Sequence, residues 1–341
     1  MKKNIELKNA IATAQDNKRA VVAAEKTAAK IAHDIDTARE KGRAASYSEA
    51  DLNTALENLT AARDAMHTAD RAAVVLMIAD GVPTDRRATT SEREIMFRAA
   101  LQNSELFFVI TENAMNERAR IGRPLSVSEV EKFLGWHFTT EHSGKMAGMV
   151  SVSSSPMVNP RCAARAKNPR TICAHCFARR MIEFYSTMGA ALAYNSGLLS
   201  TVDIPADLMP VINALYFRIE AFGDTMNARH AENYLRLIDC NPLVSFAWWT
   251  KNPDFTAAAL VAHGNRPDNV NFIVSSPFLN KAATVARYPW VDEVFTVYDD
   301  DTARAHCVDI NCGARHCLTC LRCYRHRTHG GAVDMVNESL K

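Results

Sequence analysis

The sequence predicts an α/β protein: a partial (β/α) barrel or open parallel sheet, with an N-terminal α-helical hairpin extension and a C-terminal cysteine-rich segment. Three observations carry that expectation. Residues 1–80 contain no Cys, Trp, Phe or Pro and a single glycine, Gly42, which is a helical composition. Four apolar runs then recur roughly every 23–28 residues with helical patterns between them, and parallel strands need crossovers of about that length. Of the 9 cysteines, all but Cys240 gather in two bunches. The chain accordingly divides into a helical arm (1–100), an α/β core carrying the first bunch (101–305) and a cysteine-rich segment (306–341).

In the arm, Ile31 and Ile35 lie one turn apart, and Leu52, Leu56, Leu59 and Met66 fall at seam-like spacing. Gly42 breaks the pattern, and Ser46 with Glu49 has the spacing of a capping box that restarts a helix. Two long helices folded as a hairpin or short coiled coil follow. Such a hairpin either docks on its own domain or makes a homo-oligomer. Gly81-Val82-Pro83 ends the arm, and residues 91–115 read as helical again. Ser126 and Glu129 form a second capping box. Val150 and Val152 suggest a strand that leaves through Ser153-Ser154-Ser155-Pro156 toward Cys162.

Residues 178–200 have a helical pattern. Beyond them Leu215–Ala221, Leu243–Trp249, Val270–Ser275 and Glu293–Tyr298 read as buried strands. MNARHAENYLRLI, DFTAAALVAH and KAATVAR are the expected crossover helices. Ligands of such sheets bind beyond the carboxyl ends of the strands. Those ends carry Phe222-Gly223-Asp224, Thr250-Lys251-Asn252-Pro253, Ser275-Ser276-Pro277 and Asp299-Asp300-Asp301. Glycine admits a ligand close to the backbone, while Asp224, Lys251 and Ser276 offer polar groups. Ordinary loop chemistry, with Asp224 or Thr225 capping the next helix, is the competing account.

Net charge is +2 and the pI is about 8.1, so nothing global demands nucleic acid or an anionic membrane. The polar N-terminus MKKNIELKNA lacks the apolar run of a signal peptide or membrane span. A cytoplasmic protein with no membrane association is expected. A 341-residue chain with 48% hydrophobic residues buries a core without covalent staples. Clustered cysteines in such a chain point to metal rather than disulfides. Cys240, before Asn241-Pro242, is expected to be a buried apolar filler.

The C-terminal bunch places Cys312, Cys317, Cys320 and Cys323 as C-x4-C-x2-C-x2-C, with Cys307 just upstream. Its core has ferredoxin-type spacing. Arg315, Arg322, Arg325 and Arg327 surround it, where cations offset thiolate charge. Zinc is the alternative metal, held by four cysteines or by three with one of His306, His316, His326 and His329. The first bunch, Cys162, Cys173 and Cys176, offers three sulfurs. Three thiolates leave one iron of a [4Fe-4S] cluster open, or a water site on zinc. Alternatively, Cys173 and Cys176 join the C-terminal bunch in one zinc ribbon.

Gly144-Lys145, VSVSSSP, NPRCAARAKNPRTICAHCFA, FRIEAFGD, AWWTKNP, NFIVSSP and CGARHCLTCLRCY follow in that order. This series, over roughly residues 135–325, resembles the phage "gene product 88" family. More distantly, Cys162, Cys173, Cys176, the following Phe177 and the Gly223-Asp224 turn are similar to parts of radical S-adenosylmethionine enzymes. In those enzymes the first gap is three residues; here it is ten. The resemblance implies a radical-SAM-like barrel with one or two [4Fe-4S] clusters. The cluster at Cys162, Cys173 and Cys176 would bind S-adenosylmethionine and release a 5′-deoxyadenosyl radical from it. It also implies Glu220 and Asp224 near the ligand's amino group, with Gly223 in the cofactor-binding turn, Ser275 and Ser276 near its ribose, and Lys251 on an anionic substrate group. Asp224 and Lys251 are thereby the catalytic candidates, and the substrate itself is left open. A zinc-stabilised module that contacts nucleic acid through the arginines around Cys312–Cys323 is the alternative function.

Overall fold

The alanine-rich N-terminus folds as the helical hairpin that its composition predicts. The structure, a computed structural model, describes residues 2–80, 82, 89–102, 105–325 and 332–340. It forms two compact units, 1–106 and 107–341. In the first, α1 (Lys2–Glu40) and α2 (Glu49–Ala79) pair along their lengths. Ala28, Ile31 and Ile35 close on Ala55, and Val21 meets Leu59 and Met66. The α2 seam runs through Leu52, Ala55, Leu59, Ala62 and Met66. Leu56 is 46% exposed, so Ala55 takes the seam place expected of it. The turn also differs from expectation. Ser48 caps α2 by accepting from the Asp51 N–H at 3.2 Å, while the Ser46 N–H donates to Asp34 of α1. Asp34 competes for that turn because α1 delivers a carboxylate beside it. Across α3 (Thr90–Gln102), Arg98 forks onto the fully buried Asp70 at 2.7 and 2.8 Å. Gly81 and Pro83 lie outside the described residues.

The second unit begins with α4 (Glu105–Ile121) and α5 (Val127–Phe133), the latter opened by the Ser126–Glu129 capping box with both halves formed. The two-residue β1 (Phe138–Thr139) and then β2 (Val150–Val152) follow. Three helices, α6 (Pro160–Ala166), α7 (Phe177–Phe184) and α8 (Ser186–Thr201), lead to β3 (Tyr216–Ile219). The chain continues through α9 (Ala228–Asp239), β4 (Ser245–Thr250), α10 (Pro253–His263), β5 (Val270–Ser275) and β6 (Glu293–Tyr298). It ends with α11 (Asp300–Ala305), α12 (Cys317–Cys320) and β7 (Asp334–Ser339). Among the described residues, seven strands form one sheet in sequence order; β1 is antiparallel and the rest are parallel. The expected α/β class with a largely parallel sheet is what the chain adopts.

Alternation along the strands divides the sheet into two faces. Phe217, Phe246 and Trp248 face one way, with Tyr234 of α9 edge-on to Trp248 at 5.4 Å. Ala247, Ile273, Phe295 and Val336 face the other and pack with Met149 and Tyr324. The cysteine-rich segment therefore covers a sheet face, and β7 beyond it pairs with β6 along its whole length.

Three local expectations fail for physical reasons. KAATVAR forms no helix: Pro277 and Pro289 bracket it, and Ala283 and Val285 pack on the Val274, Tyr288 and Val291 cluster as loop. The helix expected over 178–200 is two, divided at Tyr185, whose φ of −119° and ψ of 82° are not helical. Cys240 is exposed at the C-cap of α9 rather than buried. The strand β7, with its polar sequence DMVNES, had no apolar signal to announce it.

Candidate functional site

The first cysteine bunch is built on α6, a single turn and the start of α7, which dock against the strand ends. Asn159 caps α6, accepting from the N–H of Arg161 and of Cys162, and donates its amide to the Asp224 carbonyl at 2.8 Å. Arg165 donates to the Lys251 carbonyl at 2.8 Å. The Ile172 N–H donates to the Pro277 carbonyl at 2.9 Å. Cys173 lies in the single turn Ile172–His175, and Cys176 at the start of α7. Those three tethers reach the ends of β3, β4 and β5, so the ten-residue gap between Cys162 and Cys173 becomes a strap across the sheet rim. Phe177, after the third cysteine, stacks on Phe222 at 5.8 Å between ring centroids.

The turn after β3 explains its sequence. Gly223 has φ +79°, and a Cβ there would lie 2.2 Å from the Ser154 carbonyl oxygen, so only glycine fits. Glu220, also left-handed at φ +59°, is 3% exposed. Its carboxyl accepts from the Ser154 hydroxyl at 2.8 Å, the Ser154 N–H at 3.0 Å and the Tyr234 hydroxyl at 2.9 Å. Burial first, then the neighbouring Asp224 charge, raises its pKa to about 8. His230, 3.6 Å from it, is held neutral by burial, with a pKa lowered to about 3. Asp224 Oδ1 accepts from the Thr225 N–H and the Thr250 hydroxyl, and Oδ2 from the Lys251 N–H at 2.9 Å. Asp224 thus staples the end of β3 to the end of β4; burial raises its pKa against the opposing pull of Lys251.

These parts enclose a cavity of about 150 Å³. Cys162, Cys173, Cys176, Glu220, Gly223, Asp224, Lys251 and Ser275 all line it. Burial raises the thiol pKa of Cys162, reinforced by Asp224; burial also raises that of Cys173, opposed by Lys251. Ser276, by contrast, turns its hydroxyl onto the Phe278 backbone and is not part of the lining.

The second bunch is a local knuckle. Cys317 and Cys320 span α12, Leu321 adopts φ +51°, and Cys323 follows in the turn Arg322–Tyr324. Ser245 donates to the Tyr324 carbonyl at 2.8 Å, and Asn271 donates to the carbonyls of Cys323 and Arg325. The Cys312 N–H donates to Asn337 of β7, while Lys145 donates to the Cys312 carbonyl and to Glu338. Cys312, Cys317, Cys320 and Cys323 line one small cavity. Burial raises the pKa of Cys317 and Cys323. Arg322 forks onto Asp334. His316 approaches the Gly144 carbonyl, and His326, Arg327 and His329 lie outside the described residues.

A second cavity of about 230 Å³ adjoins the first lobe and reaches the knuckle cysteines. It shares Arg218, Trp249, Lys251 and Ser275 with the first lobe, and Lys145, Cys312, Cys317 and Cys323 with the knuckle. Among the described residues, no three His, Cys, Asp or Glu side chains converge in a ready-made ion site. Metal–thiolate sites commonly order only with the metal.

A family model described as gene product 88 matches residues 112–334. The chain belongs to the gene product 88 family. The match begins within α4 and ends at the first residue of β7, so both cysteine bunches and every strand but the body of β7 belong to the family region. The α1–α2 hairpin lies outside it. Comparison with curated proteins and with solved structures gives no match. No described helix of this gene product 88 protein is long and apolar enough to cross a membrane.

Sequence reasoning missed Arg218, Trp249 and Lys145. A signal existed for Arg218: within YFRIE it is a cation inside an otherwise buried strand, on the face opposite Phe217 and Ile219.

Proposed function

We propose that this gene product 88 protein is an iron–sulfur protein built on a radical S-adenosylmethionine-like partial barrel. Cys162, Cys173 and Cys176 would hold a [4Fe-4S] cluster with one iron open, and Cys312, Cys317, Cys320 and Cys323 a second metal site. The single observation that supports this best is that both bunches border lobes sharing Arg218, Trp249, Lys251 and Ser275. Two separate structural zinc knuckles would have no need of a common cavity. The donor set fits: three thiols border the first lobe, one fewer than a closed tetrahedral site uses. When bound, such a cluster supplies one-electron reduction of S-adenosylmethionine. The chain's own groups then have distinct tasks. Asn159 and Arg165 fix the cysteine strap, and Gly223 opens room beside the backbone. Glu220, Asp224 and Ser275 line the lobe that the cofactor would enter.

Anaerobic purification followed by iron, sulfide and zinc analysis tests the proposal. Brown protein with broad absorbance near ~400 nm that bleaches on reduction is expected, as is an electron-paramagnetic signal perturbed by S-adenosylmethionine. Colourless protein with stoichiometric zinc overturns it. That result would favour the second assignment, a zinc-stabilised nucleic-acid-associated module, supported by the local completeness of the four-cysteine knuckle. In that case the Arg322–Asp334 fork leaves Arg315 and Arg325 to meet phosphates.

A further inference from the structure

The cavity between the two cysteine bunches has two cations, Arg218 and Lys251, that no carboxylate pairs with at ion-pair distance among the described residues. Arg218 projects from β3 into both lobes, its guanidinium 4.4 Å over the Trp249 ring. Among the described residues its Nε is buried without a hydrogen-bond partner, and the one contact of that kind its guanidinium makes is a 3.6 Å approach of Nη1 to the Met146 sulfur. Lys251 also borders both lobes; its backbone N–H is engaged by Asp224, while its ammonium forms no ion pair among the described residues. The carboxylates of the two lobes are occupied elsewhere. Glu220 serves Ser154 and Tyr234, Asp224 serves Thr225, Thr250 and the Lys251 backbone, and Glu338 pairs with Lys145 at 2.8 Å.

A guanidinium fixed against an indole presents a flat, pre-oriented donor edge, which suits a two-oxygen anion better than a point charge does. An unmet buried donor carries a desolvation cost, so the guanidinium is not satisfied by its present neighbours. We infer that Arg218 and Lys251 form an oxyanion site between the cysteine bunches, which anchors a small substrate carrying a carboxylate or phosphate. This rests on reading the shared cavity as the reaction chamber, and it adds the substrate's chemical class. Offsetting the charge of metal-bound thiolates is the rival role for both cations, and the two roles separate experimentally.

The test titrates inorganic phosphate and, separately, succinate into anaerobically prepared full-length protein by calorimetry, with iron measured on each sample. Wild type should bind one of them saturably, with a dissociation constant on the order of a millimolar. Arg218→Gln and Lys251→Gln should each weaken binding about tenfold or more with iron content unchanged. Phosphate or succinate as the ligand identifies the head group. No binding of either anion by wild type overturns the inference, as does binding that both variants retain. Capture of a single-stranded oligonucleotide in place of both small anions overturns it too. Variants that lose iron in step with anion binding assign the cations to thiolate charge and also overturn it, leaving the cluster proposal intact. Anion binding that depends on both residues in protein devoid of iron supports the site while removing the cluster proposal. Should Arg218→Gln fail to fold, Lys251→Gln, placed just after β4, decides alone.

Discussion

The two cysteine bunches are held by different means. The first sits on short helical segments at the sheet rim, fixed by side-chain and backbone hydrogen bonds to the ends of β3, β4 and β5. The second is a knuckle whose Tyr324 is 6% exposed and belongs to the hydrophobic cluster on one sheet face. A site held by hydrogen bonds over a rim can open to a ligand, whereas one packed into a core is tied to folding. This difference is the ground on which we propose a reactive role for Cys162, Cys173 and Cys176 and a structural one for Cys312–Cys323.

The largest effect should come from the knuckle. Tyr324→Ala removes a ring packed edge-on against Tyr216 at 5.6 Å, and about 3–5 kcal/mol of stability should be lost. Thermal unfolding measures it; a loss under ~1 kcal/mol would break the contrast. Next, Gly223→Ala forces a Cβ to within 2.2 Å of the Ser154 carbonyl oxygen. Backbone must shift, and roughly 2–3 kcal/mol should go, with metal lost from the first bunch and kept by the second. Cys173→Ser and Cys176→Ser should lower stability by only about 1 kcal/mol while abolishing the chemistry of the first lobe.

Legibility followed the same contrast. Val270–Ser275 and Glu293–Tyr298 could be read to the residue because buried parallel strands are rich in β-branched and aromatic residues, here Val270, Phe272, Ile273 and Val274, and Val294, Phe295 and Val297. The Gly223-Asp224 turn was readable as special, but not its cause, which is the approach of Ser154 from 69 residues upstream. Asp224 is expected from the sequence to meet a ligand's amino group or to cap the next helix. It lines the lobe yet accepts from Thr250 and Lys251, a pairing between strand ends that no local pattern encodes. Arg218 was overlooked because its significance lies in having Trp249 beneath it, a neighbour set by strand register rather than by sequence distance.

A smaller effect concerns pH. Glu220 in the folded chain has its pKa raised to about 8, above its unfolded value. Folding therefore favours the protonated acid: that stability is present in full below pH ~4.5 and is lost as pH rises toward about 8. The unfolding midpoint of metal-free protein should fall between pH 5 and pH 8, and Glu220→Gln should flatten the slope. An unchanged slope would place the titration elsewhere. The smallest change should come from Ser245→Ala, which removes one hydrogen bond to the Tyr324 carbonyl and should cost about 1 kcal/mol.

Iron and sulfide content per chain, compared among wild type, Cys176→Ser and Cys320→Ser after anaerobic purification, tests the division most directly. Two iron–sulfur sites predict that Cys176→Ser loses the S-adenosylmethionine-responsive signal and keeps the iron of the knuckle. Cys320→Ser should show the reverse loss, together with the larger fall in stability. If either replacement alone empties both sites, or if wild type carries zinc and no iron, the two bunches are not a reactive centre paired with a structural one.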